Sequence, residues 1–245
     1  LLVQNESSRE VVLKRKIVVY ENIVQIKTGI KKATFANEMT SKQEIDFEVF
    51  HSNIDVKNAI DEIKIVIQQN DNWQTIKKNI KPTFIKKNSL EYNYDNEINF
   101  TGGNEFRDFN ISSLRFFSKN IDTIYTTKKN IYNNPIYVVN LKQDHNRSNK
   151  PYFEKYDLNG KLIIQKDNSF SPENESEYVV VKFTLSQNGL NKDEEIYLFG
   201  GLSNWNINSE FLLQHNPKTQ SFEREVLLKQ GYYNYQYITK KGRIN

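Results

Sequence analysis

The chain has 245 residues, 34 basic and 30 acidic, for a formal charge of +4, and it carries no arginine-rich block or basic helix. That balance is too mild for a nucleic-acid binder. It contains no cysteine, which excludes a disulfide framework and a thiolate metal site while leaving the redox compartment open. Aromatic residues make up 13%, mostly Tyr and Phe, Ile and Val are plentiful, and there is one Met. This is the composition of strands, so an all-β chain is expected, and the length allows two domains with their own cores. No apolar run approaches the length of a membrane span, so no span of its own is expected.

In chain order, residues 1–3 and 11–20 read as two strands of a hairpin around the polar turn 5–9. The chain opens on Leu1-Leu2-Val3 with neither an initiator Met nor signal-peptide features. The hairpin is therefore expected to be the remnant of an N-terminal domain, with its other strands upstream. Runs at 45–50, 63–67, 90–94 and 136–141 alternate or are rich in β-branched residues, as strands of a sandwich do. Residues 73–81 suggest a helical turn before Pro82.

The segment 101–110 combines Gly102, Gly103 and Asn104 with Glu105, Phe106, Arg107 and Phe109. The glycine pair predicts a sharp turn with positive φ, then a strand from Glu105. Alternation puts Glu105 and Arg107 on one face as an ion pair and Phe106 on the other. Phe109 falls on the Glu/Arg side, so either a bulge re-aims it or both faces are covered. These residues form a structural signature rather than a ligand or catalytic site.

The polar run 142–152, ending near Pro151, marks the boundary between a central sandwich at 21–143 and a second one at 144–245. The second has strands expected at 161–165, 178–185, 195–201 and 222–228, with a polar loop at 169–176. Gly231 then leads into an aromatic ladder with Tyr233, Tyr235 and Tyr237 on one face.

Chemistry is hard to find. His51, His145 and His215 lie far apart without ligand-like spacing, so no metal and no cofactor are expected. The pairs Glu194-Glu195 and Glu173/Glu175 fall in polar loops. Asp144-His145 is a conceivable hydrolytic dyad, but a solvated loop histidine is the plainer reading, and the chain is expected not to be an enzyme.

Gly200-Gly201-Leu202-Ser203-Asn204-Trp205 and Leu228-Lys229-Gln230-Gly231-Tyr232-Tyr233-Asn234-Tyr235-Gln236-Tyr237 resemble motifs of glycogen- and starch-binding modules of the early-set class. This resemblance implies an early-set, immunoglobulin-like sandwich, with Trp205, Gly231, Tyr233 and Tyr235 building it, and leaves glycan recognition as the alternative function. A wider series also includes Gln68-Gln69-Asn70-x-x-Trp73, Lys81-Pro82, Leu90-Glu91-Tyr92-Asn93-Tyr94, the segment 100–109 and Asn159-Gly160-Lys161. It continues through residues 177–185 and Leu198-Phe199-Gly200-Gly201 to the tyrosine strand. In that order the series is similar to the plug protein of the Bacteroidetes type IX secretion system, and the asparagine- and lysine-rich composition fits such an organism. The resemblance implies tandem sandwiches, with residues 1–20 as the last hairpin of an N-terminal early-set domain and the C-terminal end cut after Tyr237. It also implies a periplasmic protein at the outer membrane that closes the periplasmic mouth of a translocon barrel of the SprA or Sov type. No contact residue for that barrel follows from it.

Overall fold

The computed structural model describes residues 1–14, 16–129, 135–147, 150–151, 153, 155–187 and 193–241. It is all-β, with two short helices and three 3-10 turns among these residues. Among the described residues no helix is long and apolar enough to cross a membrane. The chain forms two compact units, residues 1–67 with 77–102, and residues 68–76 with 103–245.

In the first unit, β1 (Leu2–Gln4) and β2 (Val11–Lys14) pair as the expected antiparallel hairpin. Its second strand stops at Lys14 rather than Tyr20, and Arg15 lies outside the described residues. The main sheet runs β3 (Gln25–Lys32), β4 (Lys42–Phe50), β8 (Ser89–Tyr92), β7 (Phe84–Ile85), with β9 (Asn99–Thr101) also on β4. The short α1 (Ala59–Glu62) and the ribbon of β5 (Val66–Ile67) with β6 (Lys77–Lys78) complete the unit. Helix α1 occupies the approach to the expected 63–67 strand and shortens it to two residues.

Alternation along β4 decides which side is core. Phe47 and Val49 are buried with Leu90, Tyr92 and Ile98, and Phe47 stacks on Tyr92 with ring centres 4.6 Å apart. Glu44, Asp46 and Glu48 take the opposite face. There Lys31 reaches Glu44 at 2.9 Å and Asp46 at 2.7 Å, and Lys86 reaches Glu48 and Glu91, each at 2.9 Å. Burial pushes the Glu44 carboxyl up, but the Lys31 ammonium and the Thr34 amide and hydroxyl outweigh it and leave its pKa lowered.

In the second unit, one sheet runs β11 (Ile121–Lys129), β12 (Pro135–Leu141), β15 (Tyr178–Ser186), β18 (Ser221–Lys229), β17 (Gln214–Asn216). Strand β13 (Asp144–His145) also pairs with β15. In the other sheet the long β19 (Gly231–Lys241) pairs with β10 (Arg107–Asn110), β14 (Leu162–Ile164) and β16 (Glu194–Phe199). The expected loop at 169–176 carries α2 (Pro172–Glu175). Valines 179 and 181, Phe183 and Leu185 alternate inward from β15 and meet Phe109, Tyr233 and Tyr235 in one core.

The sequence places a domain boundary at 143, whereas the two units divide at 102/103. Strand pairing explains the difference. Strand β10 pairs with β19, β12 pairs in parallel with β15, and β13, inside the supposed linker, extends that parallel pairing. Strands β10 and β12, read as part of the 21–143 sandwich, are thus strands of the other unit. Ser148, Asn149 and Tyr152 of the polar run lie outside the described residues.

Candidate functional site

The signature residues fall mainly in the second unit: Phe109, Trp205, Gly231, Tyr233 and Tyr235 are buried there, Glu105, Phe106 and Arg107 are half-buried, and Gly102, Gly103 and Asn104 are exposed. Only Gly103 of the glycine pair takes positive φ, at 71°, and Gly102 donates its N–H to Ser41 O within the first unit. The strand starts at Arg107, two residues later than expected, because Glu105 turns aside to accept from Phe153 N at 2.6 Å and from Arg147 at 3.0 Å. The Phe153 amide does most to hold its carboxyl below the usual range. The expected Glu105–Arg107 ion pair is therefore replaced by two separate pairs. The register of β10 on β19 is continuous, with no bulge, so Arg107 and Phe109 share the inner face. Phe109 stacks on Tyr233 with ring centres 5.0 Å apart, and Phe106 meets Trp205 edge-on.

Arg107 ends in a polar knot. Its Nη1 donates to Asp144 Oδ1 at 2.5 Å and its Nη2 to His145 O at 2.6 Å, while its guanidinium lies 5.3 Å from the Tyr237 ring centre. Asp144 Oδ2 accepts from the hydroxyls of Tyr235 at 2.6 Å and Tyr237 at 2.8 Å. Burial, then the charge and hydrogen bond of Asp144, raise the Tyr235 pKa well above the ordinary range, and burial, then the Tyr235 phenol and Asp144, do the same at Tyr237. Both carboxylate oxygens of Asp144 are taken by groups other than the His145 imidazole, so the geometry makes Asp144 a strut rather than half of a dyad.

The sugar-module motifs are interior too. Trp205 is 8% exposed and packs edge-on against Phe199, and Tyr233 and Tyr235 are buried. Gly231 allows β14 to come close, since a Cβ there would lie 2.2 Å from Ile163 O. None of these aromatic faces is open to stack on a sugar ring.

The other sequence candidates do not converge. His51 is buried with Nε2 unpartnered, His215 packs against Phe222, and among the described residues no three acidic or histidine side chains form a metal-holding group. Glu195 accepts from the Tyr197 hydroxyl at 2.7 Å. A hollow of about 540 Å³ near His215 is lined by Lys182, Glu223, Arg224 and Glu225, two of which pair with each other. There Glu223 accepts from Lys182 at 2.8 Å and is lowered to about 2.

An open site lies elsewhere in this unit. Loop residues from Ser112 to Phe116, with Tyr137, Asp167, Asn168 and Glu177, line a hollow of about 550 Å³. Its floor is Gln230, which donates to Ser112 O at 3.0 Å and accepts from Glu177 N at 3.1 Å. Asp167 N–H to Ser112 O, 3.1 Å, holds the two loops together. Phe116 stands 75% exposed at this hollow, and Phe117 and Phe170 are exposed as well. An aromatic face beside amide, hydroxyl and carboxylate groups can stack and hydrogen-bond at once. Sequence reading passed over it; the available signal was three phenylalanines in polar loops outside any alternating run.

No protein-family model matches the chain, and no curated protein matches it. The fold is similar to that of a hypothetical protein from Parabacteroides merdae, at 28% identity and a TM-score of 0.76, over 89% of this chain and 53% of that one. The chain thus spans about half the length of that neighbour, and the likeness is one of fold.

Proposed function

We propose that the chain is a non-catalytic binding module acting in the periplasm, where it closes the periplasmic mouth of a type IX translocon barrel of the SprA or Sov type. The ordered motif series motivates the reading. The observation that carries it is that each unit displays large apolar side chains on its surface, Phe84 and Ile85 on the first and Phe116, Phe117 and Phe170 on the second. Such groups mark surfaces that meet another macromolecule. A plug needs only rigid complementary faces. Native pull-downs from membranes of a type IX-secreting bacterium test it: the translocon barrel is expected in the eluate, and its absence from every preparation sinks the reading.

A second reading, glycan recognition, is favoured by the Phe116 hollow rather than by Trp205 or the tyrosine ladder. Calorimetry with maltooligosaccharides and peptidoglycan fragments is expected to give heat that Phe116→Ala abolishes. No heat at millimolar ligand refutes it.

A further inference from the structure

Strand β3 is the edge of the first unit's sheet, eight residues long and exposed at every position. Its register against β4 sets Ile26 opposite Val49, Thr28 opposite Phe47 and Ile30 opposite Ile45. These three residues therefore lie on the core face of the sheet. Yet Ile26 is 56% exposed and Ile30 70%, while Phe47 and Val49 are buried. Among the described residues nothing pairs with the outer edge of β3. Long bare edges with apolar residues are normally blocked or used.

We propose that β3 pairs with β3 of a second copy of this chain, antiparallel about a twofold axis through Thr28. The sequence Gln25-Ile26-Lys27-Thr28-Gly29-Ile30-Lys31-Lys32 is self-complementary in that register. Ile26 faces Ile30 of the other copy, Thr28 faces Thr28, Lys27 faces Gly29 and Lys31 faces Gln25. Apolar residues meet apolar ones on the core face, and each of these lysines has an uncharged residue directly opposite. The Cβ position of Gly29 has nothing within 4 Å, which leaves room for the Lys27 stem.

The other registers that use most of the strand fail. A slip of one residue pairs Ile26 with Lys31 and puts the core face of one copy on the polar face of the other. A slip of two sets Lys27 against Lys31. Edge lysines usually act against pairing, but Lys31 is already held by Glu44 and Asp46, so its charge is neutralised within its own sheet. The product is a continuous sheet through two first units, an isologous contact of the commonest oligomeric symmetry.

The absence of cysteine makes the test clean. Directly opposite residues in an antiparallel pair have Cα atoms roughly 4.5–5.5 Å apart, within disulfide reach. Oxidised Thr28→Cys is expected to run as a disulfide-linked dimer, Gly29→Cys and Lys27→Cys are expected not to link with themselves, and a mixture of those two is expected to link. Sedimentation of the unaltered chain is expected to give twice 29.0 kDa. Ile30→Lys, a change at a residue exposed in the single chain, is expected to give the single mass with an unchanged far-UV circular dichroism spectrum. A 29.0 kDa species at the highest soluble concentration, or Gly29→Cys linking faster than Thr28→Cys, overturns the proposal.

Discussion

Replacing Asp144 by alanine tests whether the polar knot holds the second unit. The carboxylate accepts three hydrogen bonds, from Arg107 and the hydroxyls of Tyr235 and Tyr237, and the side chains of Arg107 and Asp144 are 18% and 17% exposed. Removing one partner of a buried pair costs about 3–5 kcal/mol, and orphaned hydroxyls add to it. Because some solvent reaches the pair, the expected loss is about 3–4 kcal/mol, a fall in melting temperature of roughly 6–16 °C for a unit of this size. Asp144→Asn keeps an acceptor for one hydroxyl and is expected to lose roughly half as much. The two tryptophans, Trp73 and Trp205, both belong to the second unit, so urea unfolding followed by tryptophan fluorescence reports on it. The midpoint should fall with an unchanged slope. In Asp144→Ala/Tyr235→Phe the loss should be smaller than the sum of the two singles, because the Tyr235 hydroxyl is no longer orphaned. A loss below about 1 kcal/mol for Asp144→Ala, or strict additivity in the double variant, would refute the reasoning.

Gly160→Ala is expected to cost about 2–5 kcal/mol, because φ there is +80° and the new methyl would lie 2.5 Å from Trp205 and 2.6 Å from Phe106; a melting temperature like that of the parent counts against the packing described. Carboxyls held low, by Lys31 at Glu44 after burial is overcome, by Lys86 at Glu48, by the Phe153 amide at Glu105 and by Lys182 at Glu223, favour the folded state above the ordinary carboxylate pKa. Stability should therefore fall as pH drops from about 4.5 toward 2, and denaturant midpoints flat over that range would contradict it. Burial raises Tyr92, Tyr232, Tyr233, Tyr235 and Tyr237, and the Glu195 hydrogen bond lifts Tyr197 to about 12. Alkaline absorbance titration of the folded chain should leave these tyrosines protonated near pH 10, with stability lost as pH rises beyond it; full ionisation of all 14 near pH 10 is the contrary outcome.

Period-two patterns were legible where one face of a strand is buried. Strands at 45–50 and 178–185 lie as expected, because alternation reports a half-buried ladder directly. The inward faces of Tyr233 and Tyr235 were legible for the same reason. Pairing partners were not: nothing in residues 107–110 says that their neighbour is at 232–235, so the boundary fell in a polar run that carries β13. Glu105 was paired with Arg107 because they are two apart, whereas the true partners, Arg147 and the Phe153 amide, come from a distant loop. The Phe116 hollow was invisible because loop closure, not periodicity, creates it.

The pairing of Arg107 with Tyr235 has a consequence for biosynthesis. The first strand of the second unit is made long before β19, so Phe109 and Ile111 stay uncovered until residues 231–241 have been translated. At ribosomal speeds of roughly 5–20 residues per second the delay is about 6–26 seconds, far longer than hydrophobic collapse. During that interval the nascent chain carries a bare aromatic strand, a natural client for a holdase.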